Sequence, residues 1–281
     1  MPNYQQRQKA QAFRKMHLEG DVLLLPNVWD VASARIVEAA GFPAIATSSA
    51  GIAFAQGFPD GQKIPAERML AVIADIASAV KVPVTADVEA GYGSKPEDAA
   101  RTARQVIEAG AVGMNFEDAT GDPWRPLFHL PLQLERIRAI REQAENLGVP
   151  LVVNARTDSY LLQIGEATTR YGEALRRLSA YRDAGADCVF APGLLDFATI
   201  RQFVADLNCP VNILAVPGSP FVGELKRAGV RRISLGSGPM RAAMGLLRRL
   251  LTEVAMDGTY SFLRDAPSHA EMNQLMDRNR S

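Results

Sequence analysis

Apolar residues along this chain gather in short runs, each followed by a longer amphipathic stretch. The runs fall at 22–25, 44–47, 82–86, 112–116, 151–154, 188–191, 211–214 and 232–235. They are rich in Val, Ile, Leu and Ala and mostly lack polar alternation, as expected of parallel strands covered on both faces. Helical spacing predicts helices over 31–40, 65–80, 96–109, 132–147, 166–184, 196–207, 221–228 and 239–255. A more polar amphipathic helix is predicted over 4–18, and the glycine-containing, small-residue stretch 48–64 reads as a long loop. Several predicted helices close on an Ala-Gly pair, such as Ala109 with Gly110 and Ala184 with Gly185, where glycine supplies the left-handed cap.

Eight strand-then-helix units predict an α/β fold, a (β/α)8 TIM-type barrel. It is expected to be a single domain over 1–281, with an N-terminal helix (about 4–18) and a C-terminal helical tail (about 239–281). A doubly wound open sheet would want a glycine-rich turn after the first strand. Pro26, Asn27, Val28, Trp29 and Asp30 stand there instead.

Charge and composition narrow the function. Lys plus Arg and Asp plus Glu both number 31, so the formal net charge is zero, and there is no basic stripe for nucleic acid. No run of about 20 apolar residues is long enough for a membrane span. The first residues are polar and lack an apolar signal core, so a cytoplasmic protein is expected. Cys188 and Cys209 lie in or beside apolar runs and read as buried free thiols.

In a barrel of this kind reactive groups project from the C-terminal ends of the strands. The sequence places acids there repeatedly. Asp60 lies in the loop after the second strand, Asp87 and Glu89 follow the third, Glu117 and Asp118 the fourth, and Arg156 and Asp158 the fifth. Asp87 and Glu89, one residue apart, can face one side of an extended segment. Like charges brought together in a buried place need a compensating cation or proton. Asp60, Asp87, Glu89 and Glu117 offer only oxygen ligands, which favours Mg²⁺ or Mn²⁺ over zinc. Arg156 supplies a fork for a substrate carboxylate; it could instead pair with Asp87 or Glu117 as an internal buttress. The glycines near 236–238 could cradle a phosphate, as in flavin or phosphosugar barrels, or serve a tight turn.

The combination TSSAG…GFPDG, TADVEAGYG, NFEDATG and NARTDSY resembles the isocitrate lyase/phosphoenolpyruvate mutase superfamily, as does the opening LPNVWDVASARIVEAAGFPAI. The resemblance spans roughly residues 20–245. It implies a Mg²⁺-dependent barrel that breaks or makes C–C or P–C bonds in small α-oxo or α-hydroxy carboxylates. By matched position, Asp87 resembles the direct metal ligand. Asp60, Glu89 and Glu117 resemble the acids that hold the metal's waters, and Arg156 the arginine that grips the substrate carboxylate. Ser48, Ser49 and Ala50 resemble the turn that holds substrate oxygens, and Asn212 a polar residue of the pocket. The catalytic set implied is Arg156, Asp60 and Glu117. The resemblance also implies a homotetramer, a dimer of swapped dimers in which the last barrel helix, 239–255, and the tail are exchanged.

The loop after the fourth strand departs from the lyase branch. That branch carries a Lys-Lys/Arg-Cys-Gly-His motif there, whereas 118–129 holds neither cysteine nor lysine. This argues against isocitrate or methylisocitrate cleavage by a loop cysteine. The lysine and asparagine of the mutase branch are not evident either. Arg125 and His129 are the obvious ionisable replacements. The reading that survives is a lyase or decarboxylase working through a stabilised enolate. Phosphonopyruvate-type P–C chemistry is the alternative, and a non-catalytic carboxylate-binding relative or a flavin/phosphate-binding barrel stand as readings of another class.

Overall fold

A computed structural model describes residues 2–277. The chain begins with α1 (Tyr4–Leu18), then β1 (Leu23–Leu25), β2 (Asn27–Val28), α2 (Val31–Ala39), β3 (Ile45–Thr47), α3 (Ser49–Ala55) and α4 (Ala66–Ala79). It continues through β4 (Val84–Asp87), α5 (Pro96–Glu108), β5 (Gly113–Glu117), α6 (Leu130–Asn146), β6 (Val152–Arg156) and α7 (Ala167–Asp183). The last part holds β7 (Cys188–Phe190), α8 (Phe197–Leu207), β8 (Val211–Leu214), α9 (Val222–Arg227), β9 (Arg232–Ser234), α10 (Gly238–Met256) and α11 (His269–Met276).

All strand pairs are parallel, in the order β1-β9-β8-β7-β6-β5-β4-β3-β2. β1 and β2 are separated only by Pro26, so the two ends of this order are one interrupted strand. Leu23–Leu25 pairs with β9, and Asn27–Val28 pairs with β3. Proline has no N–H to give a ladder, but its carbonyl still accepts from Ala46 N–H at 3.2 Å. Asn27 completes the seam: its Oδ1 accepts from the N–H groups of Leu235 and Gly236 at 2.7 and 2.9 Å. The result is the predicted (β/α)8 barrel with its first strand bent across the joint.

Three expectations are corrected. The first strand does not end at residue 25 but resumes beyond Pro26. The long loop over 48–64 contains α3, because Ser48 caps it by accepting from Gly51 N–H at 3.1 Å. Finally, α6 starts at Leu130 rather than 132, since Pro131 fits its first turn. The end of the tail, 278–281, lies outside the described residues.

Apolar side chains fill both layers. Met114, Phe116, Val152, Val153 and Val189 on the strands are fully buried, as are Ile73 and Ile76 of α4 and Ala103 and Val106 of α5. At the N-terminal end of the barrel α1 acts as a plug. Phe13 stands against Gly113, where an added Cβ would meet its ring at 2.8 Å. His17 is buried beside Arg232, and burial followed by that guanidinium pushes its imidazole down to about 3. Cys188 and Cys209 are both free; burial raises their thiols to about 12 and about 11.

α10 differs from the other barrel helices. Met240 is its one buried residue, while Met244, Leu246, Leu247, Leu251, Val254 and Met256 are exposed. No helix among the described residues is long and apolar enough to cross a membrane.

Candidate active site

The C-terminal mouth of the barrel collects the predicted acids. Asp87 ends β4. Its Oδ2 accepts from Ser49 twice, from the backbone N–H at 3.0 Å and from Oγ at 2.7 Å. Its own N–H donates to Thr47 Oγ1 at 2.9 Å. Oδ1 of Asp87 is buried with no hydrogen-bond partner among the described residues.

Glu89 follows in a left-handed conformation, φ 52°. Its Oε2 accepts from Gln62 N–H at 2.7 Å, and its Oε1 is buried and unpartnered. Gln62 returns the contact through its side chain, whose Oε1 accepts from Tyr92 N–H at 2.7 Å. This reciprocal pair fixes the Asp60 loop to the turn after β4. Gln62 (φ 57°), Glu89 and Tyr92 (φ 51°) are three of the five non-glycine residues with positive φ among the described residues. Such backbone costs free energy and gathers where a site requires it.

These acids act on one another. Burial, then Asp87 and Asp60, pushes the Glu89 carboxyl up to about 8. Partial burial raises Asp60 on the exposed rim, with Asp87 and Asp158 adding to the effect. Tyr92, whose hydroxyl is buried without a partner, is raised by burial and by Glu89.

The opposite side of the mouth is paired. Arg156, at the end of β6, donates Nη1 to Glu117 Oε2 at 2.9 Å. It also grips Asp158 with both prongs, Nε to Oδ1 at 2.5 Å and Nη2 to Oδ2 at 2.9 Å. Burial works against the guanidinium, but Glu117 and Asp158 outweigh it and hold Arg156 above its ordinary value. Burial raises the Glu117 carboxyl well above its usual range; Arg156 opposes this and Asp158, Asp87 and Glu89 reinforce it. The buttress pairing with Glu117 is therefore present, with Asp158 as the second partner rather than Asp87.

Asp118 turns away from this work. It is fully buried and accepts from Tyr181 Oη (2.6 Å), Thr157 Oγ1 (2.8 Å), Asp158 N–H (2.9 Å) and Arg177 Nη1 (3.2 Å). Asn212 is completely buried in β8. Its Nδ2 donates to Ser234 Oγ at 3.2 Å, and its Oδ1 is unpartnered. In the divergent loop Ala119 pairs with Leu127 and Thr120 N–H donates to Pro126 O at 2.9 Å, forming a small hairpin. Its Trp124 is exposed, and Arg125 pairs with Asp122 in solvent. His129 is exposed and makes no side-chain cap to α6. The phosphate-cradle reading loses two donors, since the N–H groups of Leu235 and Gly236 are taken by Asn27.

A profile of the phosphoenolpyruvate phosphomutase family matches residues 13–255. The chain belongs to this family. It is 31% identical to the 2-methylisocitrate lyase of Bacillus subtilis over 255 residues, covering 87% of this chain and 81% of that protein. The solved structure of a 2,3-dimethylmalate lyase of the PEP mutase/isocitrate lyase superfamily superposes with TM-score 0.86 and 29% identity, covering 97% of this chain and 96% of the other. A phosphonopyruvate hydrolase solved with oxalate and Mg²⁺ superposes with TM-score 0.83 and 25% identity, again covering 97% and 96%. The superfamily is thus one of lyases, hydrolases and mutases built on this barrel.

The donor set fits a hard divalent cation. Asp60, Asp87, Glu89, Glu117 and Asp158 share the field of Arg156, and two buried carboxylate oxygens have no partner. Among the described residues no three His, Cys, Asp or Glu side chains converge closely enough to coordinate one ion directly. Gln62 and Tyr92, which shape the Glu89 turn, and Asp158, the second partner of Arg156, are site residues to which the sequence alone assigns no role.

Proposed function

We propose that this protein is a Mg²⁺- or Mn²⁺-dependent lyase or decarboxylase acting on a small α-oxo or α-hydroxy carboxylic acid. The observation that carries this is the excess of acid at the mouth, with Asp87 Oδ1 and Glu89 Oε1 buried and unpartnered. Asp87 would be the direct ligand, and Asp60, Glu89 and Glu117 would hold the cation's waters. When bound, the cation supplies positive charge against the oxyanion that grows as the bond to the next carbon breaks. Arg156 binds the substrate carboxylate, exchanging part of its contact with Glu117 for the ligand. Ser48 keeps a hydroxyl proton to donate while its oxygen caps α3, and Ala50 N–H lies in a first turn, where no intrahelical acceptor is available. Asn212 offers its free Oδ1 from below. Asp60, raised and on the exposed rim, is placed to exchange a proton with water. The loop 118–129, without cysteine or lysine, separates this reading from that of the 2-methylisocitrate lyases.

A second reading, P–C bond hydrolysis or mutation, is favoured by the likeness to the phosphonopyruvate hydrolase. It uses the same cation, arginine and oxyanion contacts. A panel of C3–C6 oxo-, hydroxy- and phosphono-acids, assayed with Mg²⁺ or Mn²⁺, tests both. Release of CO₂ or a smaller oxoacid supports the lyase; release of phosphate supports P–C hydrolysis, and interconversion of a phosphono-acid with its enol phosphate, without phosphate release, supports the mutase. Mg²⁺-dependent oxalate binding with no turnover of any acid would leave a non-catalytic carboxylate-binding protein. A yellow protein indifferent to EDTA would point to the flavin alternative and defeat the metal site.

We also propose that a second copy covers the apolar face of α10, giving the swapped homo-oligomer implied by the resemblance. Sedimentation should show dimers or tetramers, shifted toward monomer by Leu251→Asp. A monomeric wild type would exclude this.

A further inference from the structure

Arg136 of α6 is fully buried, yet none of its hydrogen bonds reaches a carboxylate. Its Nη2 donates to the carbonyls of Ala90 and of Gly93, the latter at 2.8 Å. Its Nη1 donates to Gln133 Oε1 at 2.7 Å. Gln133 in turn donates Nε2 to the carbonyl of Glu117 at 3.1 Å. The guanidinium lies between two aromatic rings, 4.7 Å from the centroid of Phe116 and 4.1 Å from that of Phe128. Cation–π contact of this kind is strongest when the cation is desolvated.

The two carbonyls belong to the turn that places Glu89. That turn contains three residues at positive φ, Glu89, Gly91 and Tyr92, so its shape must be imposed by its surroundings. Thr102 Oγ1 takes the intervening carbonyl of Gly91 at 2.8 Å. A Cβ on Gly91 would meet the Phe116 ring at 2.8 Å. Phe128 closes the arrangement from the divergent loop: its N–H donates to Asp118 O at 2.8 Å and its carbonyl accepts from Arg177 at 3.0 Å.

We infer that Arg136 is a positioning residue of the proposed cation site, holding the 89–93 turn and through it Glu89, with Phe128 as its clamp from the loop after β5. The inference rests on the proposed metal role of Glu89. Arginine is required because one planar group must serve two carbonyls and stack on two rings; lysine keeps the charge but has neither the fork nor the plane.

Arg136→Lys and Phe128→Leu are the variants, the second removing only the outer ring. Mg²⁺ binding and, at saturating Mg²⁺, oxalate binding are measured by calorimetry, alongside hydrogen exchange by residue. In both variants Mg²⁺ should bind up to about tenfold more weakly, the lower end of the loss expected when a group behind the direct ligand of a metal is disturbed. Oxalate affinity at saturating Mg²⁺ should change by much less, because Arg156 is held by other partners. Exchange should quicken at the amides of residues 89–92 and not at those of 156–158. Unchanged Mg²⁺ affinity despite a lowered melting temperature, or equal acceleration in both segments, would overturn the inference. If Arg136→Lys is insoluble, Phe128→Leu decides. A wild-type protein that binds no Mg²⁺ would defeat the proposed function instead, and exchange at 89–92 would then decide the hold alone.

Discussion

The two halves of the barrel mouth carry similar acids in opposite states. On the β4 side, Asp60, Asp87 and Glu89 have hydrogen-bond donors but, among the described residues, no cation in contact, and Glu89 is raised to about 8. On the β5–β6 side, Glu117 and Asp158 are paired with Arg156, and Asp118 with Arg177. One half is paired with arginines of the chain itself. The other is left in need of positive charge, which a stable fold alone gives no reason to keep. Breaking the Arg156–Asp158 pair should therefore cost folding or carboxylate binding, whereas removing Asp87 or Glu89 should cost cation binding and even favour the metal-free fold; Glu117, paired with Arg156 and proposed to hold a water of the cation, belongs to both.

The largest effect is expected from Asp87→Ala. Removing the proposed direct ligand should weaken Mg²⁺-dependent oxalate binding and any turnover by about 100-fold or more, beyond the usual loss from outer supports. Calorimetry with and without EDTA checks this. Intact Mg²⁺-dependent binding would show that the acids on the β4 side are not the ion's site.

Arg156→Lys comes next and tests the other half. Losing a charge-assisted fork should raise KM or the oxalate Kd by about 10- to 100-fold, the equivalent of about 1.5–3 kcal/mol. Mg²⁺ affinity without oxalate should change little. A variant that loses Mg²⁺ and oxalate together would mean that the halves do not work separately.

A smaller effect should appear in the pH dependence of the metal-free protein. Glu89 has an ordinary value of 4.5 and a folded value of about 8. Between these, the folded state holds a proton that the unfolded chain has released, so this group's contribution makes stability fall as pH rises. Glu89→Gln should remove that slope and raise the melting temperature at pH 8 without metal. For the same reason Mg²⁺ should bind more tightly as pH rises toward about 8, releasing a proton. A wild type whose melting temperature, measured in EDTA, shows no more decline over this range than the Gln variant would place Glu89 in a different environment.

The regular part of this molecule was legible because strand and helix periodicities repeat eight times, and because acids recur at one end of the strands. Two kinds of feature were less so. Pro26 hid the continuation of the first strand, since proline ordinarily ends a ladder. The partners of Arg156 and the turn at Glu89 depend on contacts between distant segments, such as Gln62 with Glu89 and Tyr92, which no local pattern encodes. Arg136 did leave a trace. With Gln133, Ile137 and Ile140 it forms one buried stripe of α6, and polar residues on an apolar helical face are a sign of buried partners.

His129 sharpens the comparison from the other direction. It is the ionisable residue closest in character to a general acid in the divergent loop, yet it belongs to neither half of the mouth. It is exposed and its ring does not cap α6. Its φ of −55° and ψ of 136° are ordinary, so alanine fits the backbone without strain. The neighbouring Phe128, not His129, carries the contacts that tie this loop to Arg136, Arg177 and Asp118. His129→Ala should therefore leave stability within about 0.5 kcal/mol, as for other surface changes, and kcat/KM within about twofold, which is about 0.4 kcal/mol. A loss of tenfold or more, confined to kcat, would bring His129 into contact with the reacting atoms. The hairpin would then have to fold inward over the mouth.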